Sequence, residues 1–284
     1  MQKNWKKIFM KIVGVSLLVL LFTFGVFQFS KRKSDKKIIK TFQKESVQVF
    51  IQHLNFKDKD IRVLEMQKGI DSSLPTLVFV HGSPGAALDF KKYLLDNELN
   101  KKFNMIAYDR IGYSDVATGE VLNSVADEVD ALHEVIKNIP PKNIVLLGYS
   151  YGGTVALAST KNYKKKIILA GAVKGDLEPM FWALNIYKWE VTRPLVPKVF
   201  QAASKEKLEH VTELSAYENK WDVSEASILS IHGKKDKIVP FENSLFLKEK
   251  LDKDKFTLLT LDKGNHSLVW TNFEFIKNEI LKVK

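Results

Sequence analysis

A serine sits inside Gly148-Tyr149-Ser150-Tyr151-Gly152, directly after the apolar run Ile144-Val145-Leu146-Leu147. A buried strand that turns sharply into a helix would lift the hydroxyl of Ser150 above a sheet, with the first N–H groups of the helix beneath it. The flanking glycines fit such a turn, because close backbone approach leaves no room for side chains beside the serine. Val155, Ala156, Leu157 and Ala158 continue a helix after Gly152-Gly153. Ser150 is therefore a candidate nucleophile, set against the plainer reading of a structural glycine turn.

A nucleophilic serine needs a base, and the base needs an orienting acid. Asp236 stands in His232-Gly233-Lys234-Lys235-Asp236, just beyond the apolar run Ile228-Leu229-Ser230-Ile231, where a parallel sheet collects its functional groups. His266 stands in Gly264-Asn265-His266-Ser267, after Phe256-Thr257-Leu258-Leu259-Thr260-Leu261. An imidazole can take the Ser150 proton during attack and return it to the leaving group, while Asp236 stabilises the charged ring. Negative charge on the attacked carbonyl would fall to two backbone donors, the N–H of Tyr151 and the N–H of Ser83 in His81-Gly82-Ser83-Pro84-Gly85. Losing one such donor costs about 3 kcal/mol of transition-state stabilisation.

Taken together, HGSPG at 81–85, DRIGYSD at 109–115, GYSYG at 148–152, HGKKD at 232–236 and GNHS at 264–267 resemble the α/β-hydrolase superfamily. The likeness is to its serine-hydrolase branch of esterases, lipases and peptidases, and it covers about residues 60–284. It implies a mostly parallel central sheet with a small helical cap, His81 as a scaffold of the oxyanion loop, and Asp109 to Asp115 as a loop outside the triad. The order Ser, Asp, His along the chain agrees. Serine at position 150, where related epoxide hydrolases and dehalogenases carry aspartate, disfavours those activities. The HGSPG loop is also similar to that of proline iminopeptidases, and Glu178 or Glu190 could then receive a substrate amine.

The remaining pattern is that of an α/β protein. Strands are expected at Val47–Ile51, Ile61–Met66, Thr76–Val80, Met105–Tyr108, Ile144–Leu147, Lys166–Ala170, Ile228–Ile231 and Phe256–Leu261. Several are continuous apolar runs, as when helices cover both faces of a sheet. Val125, Val129, Leu132, Val135 and Ile136 recur at helical spacing, and Phe273, Phe275, Ile276 and Ile280 form another apolar helix face. About residues 173–222 interrupt this rhythm and predict an inserted helical cap in which Pro194 and Pro197 break any long helix nearby. Its aromatic stretch from Met180 to Trp189 would fill the cap core or line an acyl or aromatic pocket.

The formal charge of +11 is concentrated at one end: residues 1–40 hold ten Lys or Arg and one Asp, which is +9 and leaves +2 for the rest. Scattered positive residues in the body disfavour a nucleic-acid partner. The basic start encloses the apolar run from Ile12 to Phe27, extended by Phe29, which predicts an N-terminal transmembrane helix over residues 1–30, with a cleaved signal as the other reading. Membrane lipid is then a partner through that helix, and lysines on both flanks leave the side of the catalytic domain open. A basic linker at 31–45 and a hydrolase domain at 46–284 complete the expected organisation. No cysteine exists for disulfides or thiolate metal sites, no histidine spacing suggests a metal centre, and no nucleotide fingerprint is present. The expected reaction needs no cofactor. It is cleavage of a small or medium carboxylic ester through an acyl-enzyme, with aminopeptidase or amidase, thioesterase and carbon–carbon-bond hydrolase as alternatives, and a membrane-tethered binding protein as the non-enzymatic one.

Overall fold

The computed structural model describes residues 2–28, 32–116, 118–122, 124–221 and 225–283, with the side chains of only residues 5–19 in the first helix. Helix α1 (Gln2–Gln28) is followed by α2 (Asp35–Gln43), the hairpin β1 (Phe50–Phe56) and β2 (Lys59–Glu65), and β3 (Thr76–Val80). Two short helices, α3 (Lys91–Leu94) and α4 (Asn97–Lys102), lead to β4 (Asn104–Tyr108), and α5 (Val125–Val135) leads to β5 (Ile144–Tyr149). Then come α6 (Tyr151–Ala158), β6 (Lys165–Leu169), α7 (Leu184–Lys188), α8 (Lys198–Tyr217), β7 (Ile228–Gly233), α9 (Glu242–Lys250), β8 (Phe256–Leu261), α10 (Leu268–Thr271) and α11 (Phe273–Leu281).

The eight strands form one sheet in the order β1-β2-β4-β3-β5-β6-β7-β8. β1 with β2 and β2 with β4 pair antiparallel, and every pairing from β4 through β3 to β8 is parallel. The apolar runs explain the layers, since successive side chains point to opposite faces. Val78, Val80, Ile144, Leu146 and Ile168 meet α5 and α6 on one face. Leu77, Phe79, Val145, Leu147, Ile167 and Leu169 meet Tyr93, Phe273, Ile276 and Ile280 on the other. Burial of each such side chain is worth about 1.5–3 kcal/mol.

Several elements depart from the sequence reading, each for a local reason. β1 begins at Phe50 rather than Val47, and the hairpin closes on Lys57 and Asp58, both at positive φ (52° and 60°). Two such residues in a row make the tight turn that matches strand twist. The stretch expected as a linker contains α2, whose Ile38 and Phe42 are one turn apart and fully buried. Pro197 does not cut a helix short but caps the start of the 20-residue α8, where a missing N–H costs nothing. Between β6 and β7, Phe181, Trp182 and Trp189 are neither cap core nor enclosed: they are 41%, 70% and 53% exposed. Trp221 is the buried aromatic of this insertion and donates to the carbonyl of Val173 at 3.1 Å.

The expected transmembrane helix is not supported: among the described residues, no helix is long and apolar enough to cross a membrane. The side chains described in α1, residues 5–19, are all exposed. Those of residues 20–28, and the whole of residues 29–31, lie outside the described set.

Candidate active site

Ser150 lies at the junction of β5 and α6 with φ 55° and ψ −123°, a backbone geometry that a non-glycine residue rarely adopts. Its N–H donates to the carbonyl of Leu169 at 2.9 Å, which anchors the turn to β6. The turn is possible because Gly152 has no side chain: a Cβ there would come within 2.1 Å of the Val80 carbonyl oxygen. Gly82 allows the second close approach, since its own Cβ would stand 2.8 Å from Cβ and 3.3 Å from Oγ of Ser150. The loop after β3 therefore lies against the serine.

The three side chains from separate strand ends meet. His266 Nε2 is 3.1 Å from Ser150 Oγ, and His266 Nδ1 is 2.8 Å from Asp236 Oδ2. A carboxylate only accepts, so Nδ1 carries the proton and Nε2 presents a lone pair to the serine hydroxyl. Asp236 Oδ1 accepts the N–H groups of Ile238 and Val239, both at 2.9 Å. Burial acts to raise its pKa, but the hydrogen bonds from His232 and His266 outweigh burial and hold the carboxyl well below the usual carboxylate range. Asp236 is thus a fixed anion under a partly exposed imidazole.

The loops around this trio are braced from beneath. His232 is fully buried, 3.4 Å from Asp236 Oδ2, and lies 3.0 Å from the carbonyl of Val239 and 2.7 Å from Ser244 Oγ. Tyr149 donates to the carbonyl of His266 at 2.8 Å, and Trp270 packs edge-on against its ring. His81 is also fully buried; its Nδ1 lies 2.7 Å from the Gly82 carbonyl and its Nε2 accepts the Arg110 N–H at 2.9 Å. Burial and the nearby Arg110 cation push the pKa of His81 far down, so the ring is neutral. Tyr151 N–H opens α6, where the first helical donors have no intrahelical acceptor. Ser83 follows Gly82 on the opposing loop.

Asp89 supports that loop by accepting the Ala86 N–H at 2.9 Å. Burial pushes its carboxyl from an ordinary 3.8 up to about 6. A raised folded-state value means that the proton contributes stability below about pH 4, and that this contribution is lost as pH rises through 6. Asp89→Asn keeps an acceptor without the buried charge. We expect denaturant unfolding to give this variant a gain that is near zero at pH 4 and reaches about 3 kcal/mol at pH 8.

Tyr149, His232, Tyr113 and Glu206 were not singled out from the sequence. His232 and Tyr149 had a signal, since each lies in a motif that carries a triad residue. Glu206 had none: it stands in the buried stripe of α8 formed with Val199, Ala202, His210 and Leu214, where a carboxylate breaks the apolar spacing.

Solved structures share this architecture. A lipase candidate, lip1, from Acinetobacter baumannii AYE is 18% identical, with a TM-score of 0.65 over 88% of this chain and 97% of that one. A structure described as a membrane phospholipase A and bacterial virulence factor is 13% identical, with a TM-score of 0.64 over 99% and 97%. The esterase EaEST from Exiguobacterium antarcticum is 19% identical, with a TM-score of 0.62 over 82% and 98%. Comparison with curated proteins gave no significant match. A family model described as the alpha/beta hydrolase family matches residues 77–275, a span that starts in β3, ends in α11 and carries every side chain of the site above. Strand order, the serine turn and that match agree, and the chain belongs to the alpha/beta hydrolase family.

Proposed function

We propose that the protein is a serine hydrolase that cleaves a small or medium carboxylic ester through an acyl-enzyme. The observation that carries this reading is the continuous relay from Ser150 Oγ to His266 Nε2, and from His266 Nδ1 to Asp236, at 3.1 and 2.8 Å. Ser150 Oγ attacks the ester carbonyl as His266 takes its proton, and the resulting oxyanion is received by the N–H groups of Ser83 and Tyr151. The imidazolium, paired with Asp236, returns the proton to the departing alcohol. Water, deprotonated by His266, then attacks the acyl-enzyme, and Ser150 recovers its proton as the acid leaves.

An ester is preferred over an aminoacyl amide because Glu178, which could have met a substrate amine, is buried, with its side chain 1% exposed. Its Oε2 pairs with Lys207 and, at 3.2 Å, with His210 Nδ1, while its Oε1 is enclosed without a hydrogen-bond partner. Turnover of p-nitrophenyl acetate and butyrate, an acyl thioester and an aminoacyl p-nitroanilide by the full chain tests the reading. The highest kcat/KM is expected for an ester. An amide or thioester turned over at least tenfold more efficiently would overturn it.

A further inference from the structure

The oxyanion loop is tied to the cap by a chain of hydrogen bonds that the reaction scheme above does not use. Ser83 Oγ lies 2.8 Å from the Tyr113 hydroxyl, and Tyr113 lies 2.7 Å from Glu206 Oε2. The other oxygen of Glu206 is held by Arg110, whose guanidinium also bonds both oxygens of Glu128. Tyr113, Arg110 and Glu206 are each at most 3% exposed. Proton directions follow from the acceptors. Glu206 only accepts, so the Tyr113 proton is committed to it, and Tyr113 can take only the proton of Ser83 on its lone pair.

Three segments distant in the chain meet at this hydroxyl: the loop after β3, the loop after β4 and helix α8 of the insertion. The Tyr113 ring is itself fixed, with the Arg110 and Arg32 guanidinium carbons 5.3 and 5.5 Å from its centroid and the His81 ring edge-on at 5.2 Å. Arg110 grips the same loop a second time through the Gly82 carbonyl at 3.3 Å. An oxyanion donor is useful only if aimed to within a few tenths of an ångström before the charge appears, because reorientation during reaction costs rate.

On the serine-hydrolase reading above, we propose that Tyr113 and Glu206 are positioning residues: through the Ser83 hydroxyl they set the Ser83 N–H against Ser150, so that the oxyanion hole is formed only when α8 is seated on the core. Neither touches the reacting atoms. Loss of the link should lower kcat and leave KM nearly unchanged, because a ground-state ester makes little use of the hole.

The test uses the full chain and four variants. Tyr113→Phe and Ser83→Val, each lacking one hydroxyl, are expected to lower kcat about tenfold with KM within twofold of the parent. The double variant should be no slower than either single one, since both break the same link. Ser83→Thr, which restores the hydroxyl on the Val skeleton, should recover the parent kcat. A trifluoromethyl ketone, which forms a tetrahedral oxyanion on Ser150, should bind weaker by the same factor that kcat/KM falls. Parent kcat in both single variants, multiplicative losses in the double, or unchanged ketone binding would overturn the proposal. Ser83 is at the surface of the network, so Ser83→Val and Ser83→Thr decide the matter even where Tyr113→Phe does not fold. An active Ser150→Ala variant would instead remove the serine reading itself, whereas a dead one beside a fully active Ser83→Val retires only the positioning role.

Discussion

Ser150→Ala is expected to lower kcat for an ester substrate by a factor on the order of 10⁶ while changing KM little. The oxygen removed is the atom to which the proposed reaction assigns the acyl bond, and the nearest remaining hydroxyl on the opposing loop, that of Ser83, is 2.8 Å from Tyr113, to which it donates. The backbone should hold, because the serine's unusual φ of 55° is imposed by Gly152 on the close side and by the Ser150 N–H bond to Leu169. An unchanged melting temperature together with lost turnover separates chemistry from folding. Activity near the parent value would exclude Ser150 as the nucleophile.

Asp236→Asn is expected to lower kcat by a factor on the order of 10⁴, and the hydrogen-bond pattern says why. Oδ1 is held by two backbone donors, the N–H groups of Ile238 and Val239 at 2.9 Å. An asparagine must keep its oxygen on those donors, which aims its NH₂ group at His266 Nδ1. His266 then accepts at Nδ1 and carries its proton on Nε2, the nitrogen that faces Ser150 at 3.1 Å. It can no longer take the serine proton. A ¹⁵N spectrum of labelled histidine should report the reversed tautomer, and retention of more than a tenth of parent kcat would contradict this account. The parent carboxylate also contributes stability above about pH 4, lost only as pH falls through its depressed folded-state value.

The parallel sheet was legible because Thr76–Val80 and Ile144–Leu147 are largely apolar runs long enough for a buried strand and too short for a helix, and the structure places strands there. Ser150, Asp236 and His266 stand out as a candidate cluster for a related reason: each stands a few residues beyond such a run, and the structure brings the three side chains together at the carboxyl ends of β5, β7 and β8. What the sequence concealed depends on tertiary partners. Ile38 and Phe42 are lost in a basic stretch, beside an Ile39 that stays exposed, until the sheet face that buries them is present. The aromatics at 181, 182 and 189 suggest a core, yet the insertion is too thin to enclose them, and α8 turns a stripe containing Glu206 and His210 toward the core instead. The N-terminal apolar run predicts a membrane span from its length and its basic flanks, whereas among the described residues no helix is long and apolar enough to cross a membrane.

The most direct measurement is the mass of a covalent adduct. Incubation of the full chain with a fluorophosphonate, followed by peptide mapping, should place a single adduct on Ser150, with ester turnover falling in proportion to labelling. Folded protein that hydrolyses esters while Ser150 stays unmodified, or that keeps its turnover once Ser150 is fully labelled, would contradict the proposed acyl-enzyme chemistry.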